Sequence, residues 1–265
     1  MTDYLSAILA RTRRENLRRN RHVRAMTARV RPPAPKRGRA GIDALRRSSG
    51  APPAILAEIK FRSPSAGSIR PWGAGEGVRI AKAYETNGAS VVSVLADAPG
   101  FGGSPLLVRS VAASVSAPVL FKGFVIDPVQ VDLAYDVGAS LVLLLVRALD
   151  DRSLSDLMAK ARALGMEPVV EAANLEEVDR AVALGSTIIG VNARDLSTFR
   201  VDPDAAQHCI ARVPDERIAV FMSGVKSRDD FLRVADGRAD AVLIGEGLMR
   251  ADDPGAQLAR LAGRA

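Results

Sequence analysis

The chain has 265 residues, and its 48% hydrophobic and 25% charged residues are typical of an ordinary globular protein. A single cysteine, Cys209, excludes an internal disulfide and a cysteine-based zinc site, and two histidines argue against a histidine-rich metal site. The sequence contains neither an apolar run of 18 residues nor the apolar region of a signal peptide. We therefore expect a cytoplasmic protein that works without a metal and does not enter a membrane.

The net charge of +7 is unevenly distributed, because residues 1–40 contain 12 Lys or Arg against only Asp3 and Glu15. Such a segment is typical of a nucleic-acid-binding arm, of a solvated helix face, or of a basic rim that attracts an anionic small molecule. Tyr4 is the only aromatic residue of this segment, so base stacking has little support and we expect no nucleic-acid partner.

The first predicted element is an amphipathic helix, in which apolar residues recur at helical spacing between arginines. These residues are Leu5, Ile8, Leu9 and, further on, Leu17. The proline-rich stretch 31–38 predicts a connector, because proline removes a backbone donor and fixes φ. A second short helix is predicted over 41–49.

After residue 50, short apolar runs alternate with longer helical stretches. The runs are 54–60, 90–97, 118–124, 140–147, 167–172, 187–195, 218–224 and 240–247. Helices are predicted to begin near Gly75, Pro105, Asp127, Ser153, Asn174, Asp202, Ser227 and Asp252. Apolar strands separated by helices indicate a parallel sheet covered on both faces. Eight such units favour an α/β fold closed into a (β/α)8 TIM barrel over an open doubly wound sheet.

Polar side chains follow several of these strands at their carboxyl ends, where a barrel of this kind carries its active site. They are Glu58, Lys60, Asp97, Lys122, Arg147, Glu171, Asn192, Arg194, Asp195, Ser223 and Glu246. Side chains alternate along a strand, so Glu58 and Lys60 share one face. If that face points inward, they meet Lys122, Glu171 and Asn192. Lysines and carboxylates in contact can transfer protons, whereas ion pairs that merely close the barrel core are the plainer interpretation.

Glycine-containing turns follow the seventh and eighth strands, at 223–224 and 245–247. Barrels of this kind commonly bind phosphate there, through backbone N–H groups and a helix N-terminus. Ser63 and Ser65 can add hydroxyl groups from the first loop. Phe101, which is flanked by glycines, is either an apolar cap over a substrate ring or plain loop packing.

Five segments of the chain, in order, resemble the indole-3-glycerol phosphate synthase family. They are 56–67, 93–104, 118–149, 166–199 and 223–250, and they carry the motifs EIK..SPS, GGS, K.F..D..Q and N.RDL. The resemblance implies ring closure of 1-(o-carboxyphenylamino)-1-deoxyribulose 5-phosphate to indole-3-glycerol phosphate in tryptophan biosynthesis, with loss of CO2 and water. It implies no cofactor.

The resemblance also implies roles for single residues. Lys122 matches the general acid that protonates the substrate carbonyl, and Glu171 matches the acid/base group of the later dehydration. Lys60 matches a second lysine, which contacts the substrate carboxylate and phosphate region. Glu58 and Asn192 match groups that orient the substrate hydroxyls and the lysines.

The remaining matches are to binding residues and one further site serine. The serine is Ser223. The expected phosphate site consists of Ser63, Gly224, Gly245 and the backbone N–H of Glu246. The expected anthranilate-side pocket consists of Pro64, Phe101, Leu143 and Leu196. Arg194 matches a substrate-side arginine.

The basic N-terminal segment is similar to the helical extension of the family. We therefore expect residues 1–50 to pack over the mouth of a barrel formed by residues 51–265, in a single domain overall. The expected partner is a small phosphorylated anionic substrate, and the protein is expected to be a monomer or homodimer.

The chain departs from the family pattern at three single positions, and near the fifth strand it has VEAAN where VEV and a histidine are common. Phe61 stands where a basic residue often follows the first lysine, Gly123 stands where an acidic residue is usual, and Met222 stands where Glu is usual. Loss of two carboxylates near Lys122 predicts lowered lysine pKa values. The alternatives are a diverged paralog with a related phosphorylated substrate, another phosphosugar enzyme such as a ketose isomerase, and a binding protein without catalysis.

Overall fold

The structure, a computed structural model, describes residues 4–26, 38–195 and 198–264 of the chain. The predicted connector at 31–38 lies outside the described residues except for Gly38, which begins a helix.

Eight strands among the described residues form one closed barrel. They are β1 (Ala54–Ile59), β2 (Val91–Leu95), β3 (Val119–Lys122), β4 (Leu141–Leu145), β5 (Glu167–Ala172), β6 (Ile188–Asn192), β7 (Ile218–Met222) and β8 (Ala241–Ile244). Each strand is parallel to both neighbours, and β1 pairs with β8 to close the ring. Each predicted run contains one of these strands, so the predicted TIM barrel is confirmed.

Helices cover the outside of the barrel and its two ends. They are α1 (Tyr4–Met26), α2 (Gly38–Leu45), α3 (Glu76–Thr86), α4 (Ala98–Phe101), α5 (Pro105–Ala112), α6 (Pro128–Asp136), α7 (Asp151–Ala163), α8 (Leu175–Ala183), α9 (Pro203–Ile210), α10 (Arg228–Ala235), α11 (Glu246–Met249) and α12 (Pro254–Ala262). The sequence did not predict the short helices α4 and α11. Helix α7 begins at Asp151, earlier than predicted, because the Asp150 side chain caps it by accepting from Ser153 N at 2.7 Å.

Two apolar layers explain why the strands are apolar on both faces. The outer layer packs between the strands and the surrounding helices, with residues such as Ile59, Phe121 and Phe231. The inner layer fills the barrel, with residues such as Leu56 and Leu141. Burial on both faces is the usual environment of parallel strands.

The two N-terminal helices lie at opposite ends of the barrel. Leu5 and Ile8 of α1 are buried against the carboxyl ends of the strands, whereas Leu17 is 71% exposed. Helix α2 closes the amino end, where Gly38 N donates to Gly165 O at 2.5 Å and Leu45 joins the inner layer. Only the first of the two helices therefore covers the mouth.

We expect Leu45→Ala to lower the free energy of unfolding by about 2–5 kcal/mol, because it leaves a cavity against the fully buried inner layer. Urea unfolding followed by circular dichroism measures the change. The matched control is Leu17→Ala, which removes the same atoms from an exposed site and should change stability by less than about 0.5 kcal/mol. Equal losses in both variants would contradict the assignment of α2 as the barrel closure.

Candidate active site

A cavity opens at the carboxyl ends of the strands, beneath the start of α1. Fourteen of the fifteen residues predicted as site residues line it. They are Glu58, Lys60, Ser63, Pro64, Phe101, Lys122, Leu143, Glu171, Asn192, Arg194, Ser223, Gly224, Gly245 and Glu246. The fifteenth, Leu196, lies outside the described residues. Most of these residues are far apart in sequence and meet because parallel strands all end at one rim.

A buried carboxylate on β1 holds two lysines together. Glu58 is 2% exposed, and its Oε1 lies 2.9 Å from Lys60 Nζ while its Oε2 lies 3.5 Å from Lys122 Nζ. Strand β2 separates β1 from β3, and Ser93 is the β2 residue in register with Glu58. The long side chain of Lys122 therefore reaches the carboxylate across the width of β2.

The charges of this cluster stabilise one another. Burial by itself raises the pKa of Glu58, but Lys60 and Lys122 outweigh it, so the pKa lies below its ordinary value. Burial by itself lowers the pKa of Lys122, but Glu58 and Glu171 outweigh it, so that pKa lies above its ordinary value. The pKa of Lys122 is thus above that of a free lysine because two carboxylates still face it, and a lowering relative to a site with further carboxylates stays a prediction.

A second carboxylate is held from β5 and β6. Asn192 Nδ2 donates to Glu171 Oε1 at 2.9 Å, and Asn192 Oδ1 accepts from Arg194 N at 3.0 Å, which fixes the orientation of the amide. The other oxygen, Glu171 Oε2, is buried without a hydrogen-bond partner in the described part of the chain. An unpartnered buried acceptor is costly, and Glu171 is one of the residues that line the cavity.

Two backbone features shape the ends of β7 and β8. Ser223 has φ of +72°, which is left-handed and costs a residue with a side chain about 1–3 kcal/mol. Gly245 is required by a close approach, because a Cβ there would lie 2.5 Å from Glu58 Oε1. Strained backbone that the fold maintains is common at functional sites.

Arg194 connects three loops at the rim of the cavity. Its Nη2 lies 3.7 Å from Glu246 Oε2 after β8, and its Nη1 donates to Ser65 Oγ at 3.4 Å after β1. The same Nη1 donates to Phe199 O at 3.3 Å after β6. Ser63 Oγ lies 3.4 Å from Ser65 Oγ, so both hydroxyls of the first loop sit at this rim.

The other side of the cavity is apolar. Phe101 ends α4, where a loop was expected, and its ring centroid lies 5.9 Å from that of Phe124. Asp97 caps α4 by accepting from the backbone N–H of Gly100 at 2.8 Å, and it also forms an ion pair with Arg11 of α1. The covering helix is thus tied to the helical turn that carries Phe101.

The sequence analysis missed several residues that line the cavity. They are Tyr4, Leu5, Ile8, Leu95, Phe124, Leu145, Phe199, Val225, Lys226 and Leu243. Leu145 could have been found from Leu143, because alternate residues of a strand share one face. Phe199 and Lys226 lie in loops, where the sequence has no periodicity that would indicate the direction of a side chain.

Comparison with known proteins identifies the family of this chain. The sequence model of the family described as indole-3-glycerol phosphate synthase matches residues 5–261. The chain belongs to the indole-3-glycerol phosphate synthase family.

Two relatives that carry this name show the extent of the similarity. The indole-3-glycerol phosphate synthase of Mycobacterium ulcerans is 42% identical over 207 residues, which cover 78% of this chain and 75% of that protein. The synthase of Mycolicibacterium vanbaalenii is 40% identical over 226 residues, which cover 85% of this chain and 82% of that protein.

Solved structures of low sequence identity show the fold alone. The 3-hexulose-6-phosphate synthase of Salmonella typhimurium superposes with a TM-score of 0.64 at 14% identity, covering 80% of this chain and 97% of that one. The N-acetylmannosamine-6-phosphate 2-epimerase of Clostridium perfringens gives a TM-score of 0.61 at 12% identity, covering 78% and 90%.

The three departures from the synthase family pattern have different surroundings. Phe61 is buried, stacks edge-on against Trp72 at 4.9 Å and does not line the cavity. Met222 and Gly123 do line it. The Met222 side chain occupies the space over Gly190, where a Cβ would clash with it. Two of the departures therefore change the wall of the site itself.

Neither a membrane span nor a metal cluster is found within the described ranges. None of the helices there is long and apolar enough to cross a membrane. No group of three or more His, Cys, Asp or Glu side chains is placed there to hold a metal ion.

We expect Glu58→Gln to destabilise the protein by about 3–5 kcal/mol at pH 7, because two lysines lose the buried carboxylate between them. The pKa of Glu58 is lowered from 4.5, so its contribution is present above pH 4.5 and is lost as the pH falls through the folded-state value. The deficit of the variant should therefore shrink at acidic pH.

Urea unfolding across a pH series measures this change. Glu216→Gln, at an exposed carboxylate paired with Arg217, is the control and should remain close to the wild type at every pH. A Glu58→Gln deficit that does not vary with pH would show that packing rather than charge stabilises the cluster.

Proposed function

We propose that this chain catalyses the indole-3-glycerol phosphate synthase reaction of tryptophan biosynthesis through the residues of this cavity. The observation that carries the assignment of the site is that Glu58 holds Lys60 and Lys122 in the same cavity in which Asn192 holds Glu171. The family match and the named relatives favour this activity over a diverged paralog.

The first step is ring closure. The aromatic carbon that bears the carboxylate attacks the ketone carbon, and the ketone oxygen takes a proton from Lys122. The raised pKa of Lys122 keeps this proton on the amine at neutral pH until a more basic alkoxide develops. Loss of CO2 from the attacked ring carbon then restores aromaticity.

The second step is dehydration. The new hydroxyl leaves as water and a neighbouring carbon loses a proton, which requires an acid and a base on one intermediate. Glu171 serves as the base, because it lines the cavity and its Oε2 has no hydrogen-bond partner among the described residues. Lys60 serves as the second proton donor, held in place by Glu58.

The two ends of the substrate are assigned to two different parts of the cavity. We assign the phosphate to Ser63, Gly224, Gly245 and the backbone N–H of Glu246. We assign the aromatic ring to Pro64, Phe101 and Leu143. Arg194 and Ser223 lie at the substrate-facing rim and complete the site.

The alternatives fit the site less well. A ketose isomerase usually requires an acid/base pair of carboxylates, whereas here Glu58 is engaged by two lysines and Glu246 by two arginines, which leaves Glu171 as the remaining carboxylate. The division at residue 50, the cytoplasmic location and the monomeric or homodimeric state stay predictions.

We expect Lys122→Ala and Glu171→Gln each to lower kcat by about 10²–10⁴-fold, because each removes one proton-transfer group. The assay follows indole absorbance and fluorescence with the carboxyphenylamino substrate, with and without a chelator, and the chelator should have no effect. Lys82→Ala, at an exposed lysine of α3 outside the cavity, is the matched control and should retain wild-type turnover.

Two results would overturn the proposal at different levels. Wild-type protein that gives no turnover at millimolar substrate rules out the activity. Unchanged turnover in both Lys122→Ala and Glu171→Gln leaves the activity in place but shows that the chemistry is assigned to the wrong residues.

A further inference from the structure

One lysine at the cavity rim differs from the other cations of the site. The cationic side chains that line the cavity are Lys60, Lys122, Arg194 and Lys226. The first two lie against Glu58 and the third against Glu246. Within the described ranges, Lys226 forms no ion pair and its side chain makes no hydrogen bond.

The backbone N–H of Lys226 has a hydrogen-bond partner, although its side chain has none among the described residues. Its N–H donates to Asp230 Oδ2 at 3.0 Å, at the start of α10. A Cβ on Gly247 would lie 3.2 Å from Lys226 Cα, so the loops that follow β7 and β8 are in contact at this residue. Lys226 therefore extends an exposed ammonium group from the place where the two glycine-containing turns meet.

The carboxylates beside these turns already have partners. Asp230 accepts from the backbone N–H groups of Lys226 and Ser227 and pairs with Arg233. Glu246 Oε1 accepts from Arg250 Nε at 3.0 Å, and Glu246 Oε2 lies 3.7 Å from Arg194. Glu58 and Glu171 are the other two carboxylates of the cavity, so three carboxylates line it together with four cations. The site thus has one cation in excess, and it lies beside the turns rather than among the proton-transfer residues.

We propose that Lys226 binds the phosphate group of the substrate and selects for it. This inference rests on the proposed function for the identity of the substrate. The ammonium group adds a charged donor to the backbone N–H groups of the two turns, and lysine binds phosphate well as a point charge. The phosphate does not react, so its contact with Lys226 is equally strong in the ground state and the transition state. Lys226 therefore lowers KM and leaves kcat unchanged.

The test compares Lys226→Met with Lys82→Met, which removes the same charge from an exposed site outside the cavity. We expect Lys226→Met to raise KM about tenfold and to keep kcat within about threefold of the wild type. The dissociation constant of inorganic phosphate, measured by calorimetry, should rise by a similar factor. Lys226→Arg should retain most of the binding, and the effect should shrink at high salt.

The two proposals fail in distinguishable ways. Active wild-type enzyme whose KM and phosphate affinity do not change in Lys226→Met overturns the role of Lys226 alone. A loss of kcat at unchanged KM also overturns it, because the side chain would then act in the chemistry. Phosphate binding that depends on Lys226, in a wild-type protein without turnover, supports the anion site and rejects the proposed activity. An unfolding midpoint equal to that of the wild type shows that Lys226→Met is folded.

Discussion

The site depends on one buried carboxylate between two lysines. Glu58 alone would be unfavourable at 2% exposure, and Lys122 alone would lose its proton more easily. Together they keep opposite charges in a cavity whose wall combines leucine and phenylalanine side chains with polar and charged ones. The barrel makes this possible because β1 and β3 are separated by only one strand, a width that the long side chain of Lys122 can cross.

The remaining parts of the site are arranged around this cluster. Glu171 reaches it from β5 and is held by Asn192 of β6, so the second carboxylate faces Lys122 without joining Glu58. Arg194 connects three loops above, and α1 covers the apolar side through the ion pair between Arg11 and Asp97. The strands therefore carry Glu58, Lys122 and Glu171, and Lys60 follows β1 directly, while most of the groups assigned to binding lie in the segments that follow the strands.

The strands and the shared face of Glu58 and Lys60 could be predicted, because alternation in a strand and capping residues before a helix are local properties, whereas the inward direction of that face was only a condition. The two short helices could not, since a turn of four residues leaves almost no periodicity. The raised pKa of Lys122 was also missed, because it depends on distances to carboxylates on β1 and β5. The position of α2 at the amino end depends on its packing against β5, which its own spacing does not show.

Gly245 links two parts of the site that otherwise look separate. Its missing side chain leaves room for the Glu58 carboxylate, and its backbone belongs to the turn assigned to phosphate. A larger residue at 245 would displace the carboxylate between the lysines at the same time as it altered the anion pocket. A single substitution at residue 245 therefore cannot alter the proposed anion pocket without also disturbing the proton-transfer cluster.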